Sequence, residues 1–207
     1  PVVNGIIITA ILMLLTNVGA CSSSTPTNES KPAATSGTNS TPALPAEPVK
    51  EEIKPAPANI DATRDWQIYE NAAHNLKIKY PPDWTKKEEN GLIVRFSSSG
   101  NVNVSLVSED LSGFPSMKLD EYFTLSMTHI EKEFKDFRLI ENTPVTLGNV
   151  KARKIVYTAG VEGLNLKFMQ MLILINQKAY VLTYNAMAND YDKNLETANN
   201  IFGSLSI

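Results

Sequence analysis

Met169-Gln170-Met171-Leu172-Ile173-Leu174-Ile175 carries a polar side chain only at Gln170. A strand with one wet face alternates apolar and polar positions, so a nearly unbroken apolar run of this length reads as a strand covered on both faces. Something must pack on each side of the sheet that holds it. Working outward, Leu164–Ile175 and Lys178–Tyr184 read as two strands joined at Asn176-Gln177. Gly148-Asn149 reads as a tight hairpin turn between Arg138–Leu147 and Val150–Thr158, with glycine supplying the positive φ that such turns demand. Gly91–Phe96 and Val102–Val107 flank Ser99-Gly100-Asn101 as a further hairpin. Leu76-Lys77-Ile78-Lys79-Tyr80 alternates apolar and basic, which turns Lys77 and Lys79 to solvent, and it stops at Pro81-Pro82, neither of which can donate to a ladder.

Two segments supply the cover. Leu119, Tyr122, Phe123, Ile130 and Phe134 recur at helical spacing behind Ser116 as the expected cap, and Leu195, Ala198, Ile201 and Phe202 do so behind Asn189-Asp190. The expected fold class is α+β, an antiparallel β-sheet flanked by helices on both faces in an α/β/α sandwich. It fills residues 61–207, a size that supports one hydrophobic core.

The N-terminal part follows different rules. Ile6 to Leu15 is apolar but well short of the ~20 residues needed to span a bilayer, and it leads to Val18-Gly19-Ala20-Cys21. This resembles a bacterial lipoprotein signal peptide with its lipobox, which implies a signal peptide over 1–20, acylation of the Cys21 thiol and cleavage before it. Each buried acyl methylene contributes about 0.8 kcal/mol, so two or three chains hold a protein on a membrane. No Lys or Arg precedes Lys31, and the basic n-region of such a signal is expected ahead of Pro1. Cys21 is the sole cysteine, so the fold has no disulfide of its own. Residues 21–60 are rich in Ser, Thr, Pro and Ala and lack any aromatic side chain, a composition that cannot offset the entropy of ordering. They read as a tether, stiffened by Pro42, Pro45, Pro48, Pro55 and Pro57. A net charge of −3 gives no sign of nucleic-acid binding.

Tyr69-Glu70-Asn71, then Leu76 to Tyr80 running into Pro81-Pro82-Asp83-Trp84, resembles the opening of PsbP-like domains. Thr146-Leu147-Gly148-Asn149-Val150-Lys151-Ala152, the hydrophobic hairpin after it and a closing helix ending in Ile201-Phe202-Gly203-Ser204-Leu205 are similar to the rest of that family. The resemblance covers nearly the whole domain and implies the Mog1/PsbP fold. Members include extrinsic subunits and assembly factors of photosystem II, a Ran-binding nuclear protein and bacterial lipoproteins.

The residues that carry chemistry are few. There is no Gly-x-Ser-x-Gly elbow, P-loop or Gly-x-Gly-x-x-Gly. Asp190-Tyr191-Asp192-Lys193-Asn194 starts like a calcium loop, but Leu195 replaces the glycine and Ile201 the glutamate, so helix capping is the expected role. His129 and Glu133 lie four apart on a helix, two ligands where a structural zinc site needs four. His74 sits in a polar turn, with a metal role only if the fold brings carboxylates to it. Lys151, Arg153 and Lys154, with Lys86-Lys87-Glu88-Glu89, are candidate contacts for an acidic partner or lipid head group, or else solvated edge charges. Trp66 and Trp84 fit either core or rim.

The expected protein is a lipoprotein on the extracytoplasmic face of a bacterial membrane, anchored through Cys21, with a non-catalytic PsbP-like domain as protein-binding or assembly factor. No catalytic, cofactor or metal residue is assigned, and the protein partner is not specified. A photosystem II extrinsic subunit is the alternative if the source is photosynthetic. A small-ligand or metal carrier, or an enzyme, with a pocket between sheet and helix is the other.

Overall fold

The computed structural model describes residues 62–99 and 102–207. The signal peptide, Cys21 and the tether therefore lie outside the described residues, as do Gly100 and Asn101 of one expected turn.

Seven strands form one antiparallel sheet: β3 (Thr85–Lys87), β4 (Val94–Ser97), β5 (Asn103–Asp110), β6 (Lys135–Leu147), β7 (Val150–Val161), β8 (Leu164–Ile175) and β9 (Lys178–Met187), in the order β3-β4-β5-β9-β8-β7-β6. The strand with the nearly unbroken apolar run, β8, lies inside it between β7 and β9. β1 (Gln67–Asn71) and β2 (Leu76–Tyr80) pair with each other as a separate two-stranded sheet. The alternating 76–80 segment is thus a strand, but one that packs on the core from outside the main sheet. Its last link is a bridge from Lys77 to Ser206, near the other end of the domain.

The turns follow local chemistry. Gly148 takes φ 57° between β6 and β7, as the sequence requires. Asn176 and Gln177 take φ 51° and 56° between β8 and β9, the pair of left-handed residues that a type I′ turn needs. Glu162-Gly163 does the same between β7 and β8, with φ 50° and 82°.

Among the described residues the α-helices are α1 (Leu119–Glu133) and α2 (Leu195–Gly203). The cap of α1 is Lys118, not Ser116: its backbone N–H donates to the Glu121 carboxylate at 3.1 Å. The Glu at the third helical position does the capping, so the helix starts two residues beyond the expected serine. Phe134 closes α1 as the C-cap, donating its N–H to Ile130 O at 3.0 Å. A 3-10 turn, Tyr191–Asn194, separates Asp190 from α2.

The core falls into two clusters. One gathers Phe96, Leu106, Val156, Met169, Met171 and Tyr184 with Leu76 and Ile78 of β2 and Ala198, Ile201 and Phe202 of α2. The other gathers Val107, Tyr157, Phe168, Leu172 and Val181 with Tyr122, Met127 and Ile130 of α1. Along β8 the odd-numbered apolar residues Met169, Met171 and Ile173 join the first cluster, and Leu166, Phe168 and Leu172 the second. That is the strand periodicity of two, and it explains why the run is apolar throughout. Gln170, the polar exception, is buried and donates to Thr183 Oγ1 across the ladder at 3.1 Å. The second cluster also holds a polar tie: the Tyr122 hydroxyl of α1 donates to the buried Glu109 carboxylate of β5 at 2.8 Å.

Candidate interaction surface

Among the described residues β6 is an outermost strand of the sheet, paired with β7 alone, so one of its edges is open, and no residue of it is buried. Its register slips between Lys135 and Arg138 and again between Leu139 and Glu141. Asp136 takes φ 53° in the first slip. There Gly160 lets the strands close up, since a Cβ on it would stand 3.3 Å from both Asp136 Oδ2 and Lys135 O. Bulges and the missing N–H of Pro144 blunt a sheet edge against adding another strand. What this edge presents is therefore side chains. Leu139 is 41% and Ile140 53% exposed, and they stand between Arg138 and Glu141.

Beside them, the end of α1 and the ends of β6, β7 and β8 line an open groove of about 700 Å³. Phe134, Val161 and Leu164 give it apolar wall, and Lys135, Arg138 and Glu162 give it charges of both signs. An apolar pair rimmed by mixed charge next to a groove is a candidate contact surface, since in protein interfaces a few apolar anchors bind and the rim sets orientation.

A second hollow, of about 430 Å³, lies where Asn71, His74 and Ser108 meet the loop Glu88–Ile93. Here the fold does bring Glu88 and Glu89 to the cleft that holds His74. His74 Nδ1 lies 3.4 Å from the Tyr180 hydroxyl, with the two rings edge to face at 5.9 Å. Burial, and then the nearby Lys178 charge, lower the His74 pKa, so the ring holds its proton less readily than a free imidazole. Among the described residues, no group of three or more His, Cys, Asp or Glu side chains is placed to hold a metal ion. His129, half-buried, and Glu133, exposed, belong to α1 and form no such group.

The remaining candidates separate. Strand alternation and pairing split the basic trio. Lys154 pairs with Glu141 at 3.3 Å. Arg153 is ion-paired to Asp120, donates to Asn142 Oδ1 at 2.7 Å and stacks 4.8 Å from the Phe123 ring centroid. A basic patch for an acidic partner is not assembled there, because acidic neighbours from α1 and β6 have claimed two of its charges. On the loop side, Lys86 pairs with Glu88 at 3.6 Å and sits 5.2 Å from the Tyr69 ring centroid. Trp84 is buried in the core, whereas Trp66 is half-buried and packs against the rim of the same cluster. Asp190 precedes the 3-10 turn and accepts from Lys193 at 2.5 Å, whereas Asp192 pairs with Lys167 at 3.7 Å. Sequence reasoning missed the Leu139–Ile140 pair. The signal was two adjacent apolar residues in a strand that otherwise alternates, a pattern that a bulge and two-sided cover produce alike.

The fold defines an α+β domain built on one long antiparallel sheet with an open, bulged edge. A family model described as PsbP-like protein matches residues 45–207, and the chain belongs to that family. Among solved structures it is similar to cyanobacterial PsbP (CyanoP) from Synechocystis sp. PCC 6803, at 12% identity and TM-score 0.55, covering 69% of this chain and 92% of that one. It is also similar to LpqN of Mycobacterium tuberculosis, described as involved in cell envelope biogenesis, at 14% identity and TM-score 0.53 over 73% and 98% of the two chains. The Ran-binding protein Mog1p of Saccharomyces cerevisiae matches at 8% identity and TM-score 0.50, over 69% and 95%. At these identities the likeness establishes the fold. No curated protein matches the chain.

Proposed function

We propose that this chain is a lipid-anchored accessory protein on the extracytoplasmic face of a bacterial membrane, which binds another protein through the β6 edge of its PsbP-like domain without catalysing a reaction. The observation that carries the binding surface is the exposed Leu139–Ile140 pair between Arg138 and Glu141 beside an open groove. The lipobox Val18-Gly19-Ala20-Cys21 carries the anchor. Lipid on Cys21 holds the domain at the membrane, residues 21–60 set its reach, and tethering raises the local concentration of a membrane-borne partner. The α/β/α sandwich, with α1 closing one face of the sheet and α2 and the β1–β2 pair closing the other, is the scaffold we infer from the division of the core. A role in envelope assembly is in keeping with what is said of LpqN, and a photosystem subunit is a narrower version of the same tethered role.

The test is a pull-down with mass spectrometry from native membranes, with the full chain beside Cys21→Ala and Ile140→Asp variants. A membrane protein captured reproducibly, lost with Ile140→Asp and reduced with Cys21→Ala, supports the reading and names the complex. The same capture by all three chains overturns it.

A further inference from the structure

We propose that Asn90 is a site of spontaneous deamidation, whose product adds a carboxylate to the cleft that holds His74. Asn90-Gly91 is the Asn-Gly pair among the described residues, and both of its members are exposed. They form the centre of a β-turn in which the Leu92 N–H donates to Glu89 O at 2.9 Å. Gly91 takes φ 84° at the third position, the type II arrangement. The hydrogen bond that closes this turn uses the Leu92 amide, not the Gly91 amide that must react.

The chemistry needs only water. The Gly91 amide gives its proton to solvent base and its nitrogen bonds to Asn90 Cγ. The Cγ–Nδ2 bond breaks and ammonia leaves, so that a five-membered succinimide links the two residues. Water then opens the ring at either carbonyl and leaves aspartate or isoaspartate at position 90. Nothing is oxidised or reduced. Glycine as the following residue permits this, because without a Cβ nothing crowds the nitrogen as it approaches, and the backbone can turn to suit. Asn149 is the internal comparison. It is also exposed in a tight turn, but it precedes the β-branched and conformationally stiff Val150.

Position makes the change more than wear. Asn90 lines the same hollow as His74, Glu88 and Glu89. His74 is faced there by the Tyr180 hydroxyl and the Lys178 charge from β9, and by the two glutamates from the loop. Glu89 is partly engaged with Arg95 at 3.5 Å, and Glu88 with Lys86 at 3.6 Å. A new anion in this hollow favours the charged imidazole and so raises the His74 pKa, which burial and Lys178 hold down in the fresh protein.

The experiment incubates the full chain at neutral and mildly alkaline pH and follows it by peptide mapping with mass spectrometry. The expected result is a growing fraction of the Asn90 peptide in which NH2 is replaced by OH, split between aspartate and isoaspartate. It should form faster at the higher pH, with the Asn149 peptide unchanged. Asn90→Gln should abolish the modification, since the corresponding ring would be six-membered. The His74 pKa, followed by NMR, should rise in aged protein and stay constant in aged Asn90→Gln. An Asn90 peptide that ages no faster than the Asn149 peptide overturns the site, and an unmoved His74 in fully aged protein overturns its consequence.

Discussion

Met169→Ala and Leu172→Ala remove adjacent-region side chains from the two sides of β8, and their costs measure whether that strand is buried twice over. Both residues are 1% exposed, and they belong to different core clusters. In a strand wetted on one side, truncating an outward residue costs little, typically within ±0.5 kcal/mol. With both faces packed, each truncation loses its transfer free energy and leaves a cavity, for about 2–5 kcal/mol apiece. Three residues of strand separate the sites by roughly 10 Å, and they contact different clusters, so the effects should add to within about 0.5 kcal/mol. The sum approaches the whole stability of a typical domain, about 5–15 kcal/mol, and a double alanine variant would be partly unfolded. Additivity is therefore better read with Ile155→Val and Ile173→Val, one from each cluster, at about 0.5–1.5 kcal/mol each. The assay is equilibrium urea denaturation with linear extrapolation, checking that the slope m stays constant. A loss below about 0.5 kcal/mol for either alanine variant would refute the two-sided packing of β8.

Tyr184→Phe deletes the buried hydroxyl that donates to Tyr191 O at 2.6 Å, and should cost about 1–3 kcal/mol in the same denaturation assay. Tyr122→Phe removes the donor to the buried Glu109 carboxylate, a charge-assisted bond, and should cost at least as much, about 1.5–3 kcal/mol. Lys77→Ala, by contrast, breaks an exposed pair with Glu70 and should change stability by less than about 1 kcal/mol. The pH dependence follows from His74, whose pKa in the folded chain lies below the ordinary 6.5. The unfolded chain then binds a proton that the folded chain refuses, so stability falls as pH drops through about 6.5 and levels off beneath the folded-state pKa. A His74→Gln variant should lose that slope in stability measured against pH.

Much of the sheet was legible because its signals are local. The apolar run of β8, the Gly148-Asn149 turn and the spacing of Tyr122, Phe123 and Ile130 each reflect one element's own periodicity or φ demand. What escaped is set by long-range partners. Leu76–Tyr80 reads as a strand, but its place in a two-stranded sheet is settled by β1 and by Ser206, far along the chain. The capping error at Ser116 arose because serine is a common cap, whereas here the Glu121 carboxylate reaches back to the Lys118 amide. The basic trio reads either as a patch for an acidic partner or as solvated edge charges, because sequence shows charges without their neighbours. Asp120 comes from a helix more than 30 residues earlier, and Glu141 from the adjacent strand. The β6 surface was hidden for a related reason, since a bulge at Leu139–Ile140 depends on the register that β7 imposes.

The proposed binding surface is tested most directly by placing a photo-crosslinking side chain at position 140 of the full chain, illuminating native membranes, and identifying what is joined to it. An equivalent probe at exposed Glu131 on α1 serves as control. The expected result is one membrane-associated protein linked at position 140, absent at position 131 and diminished when Cys21 is replaced by alanine. No adduct at position 140, or the same adducts at both positions, would contradict a partner site on the β6 edge.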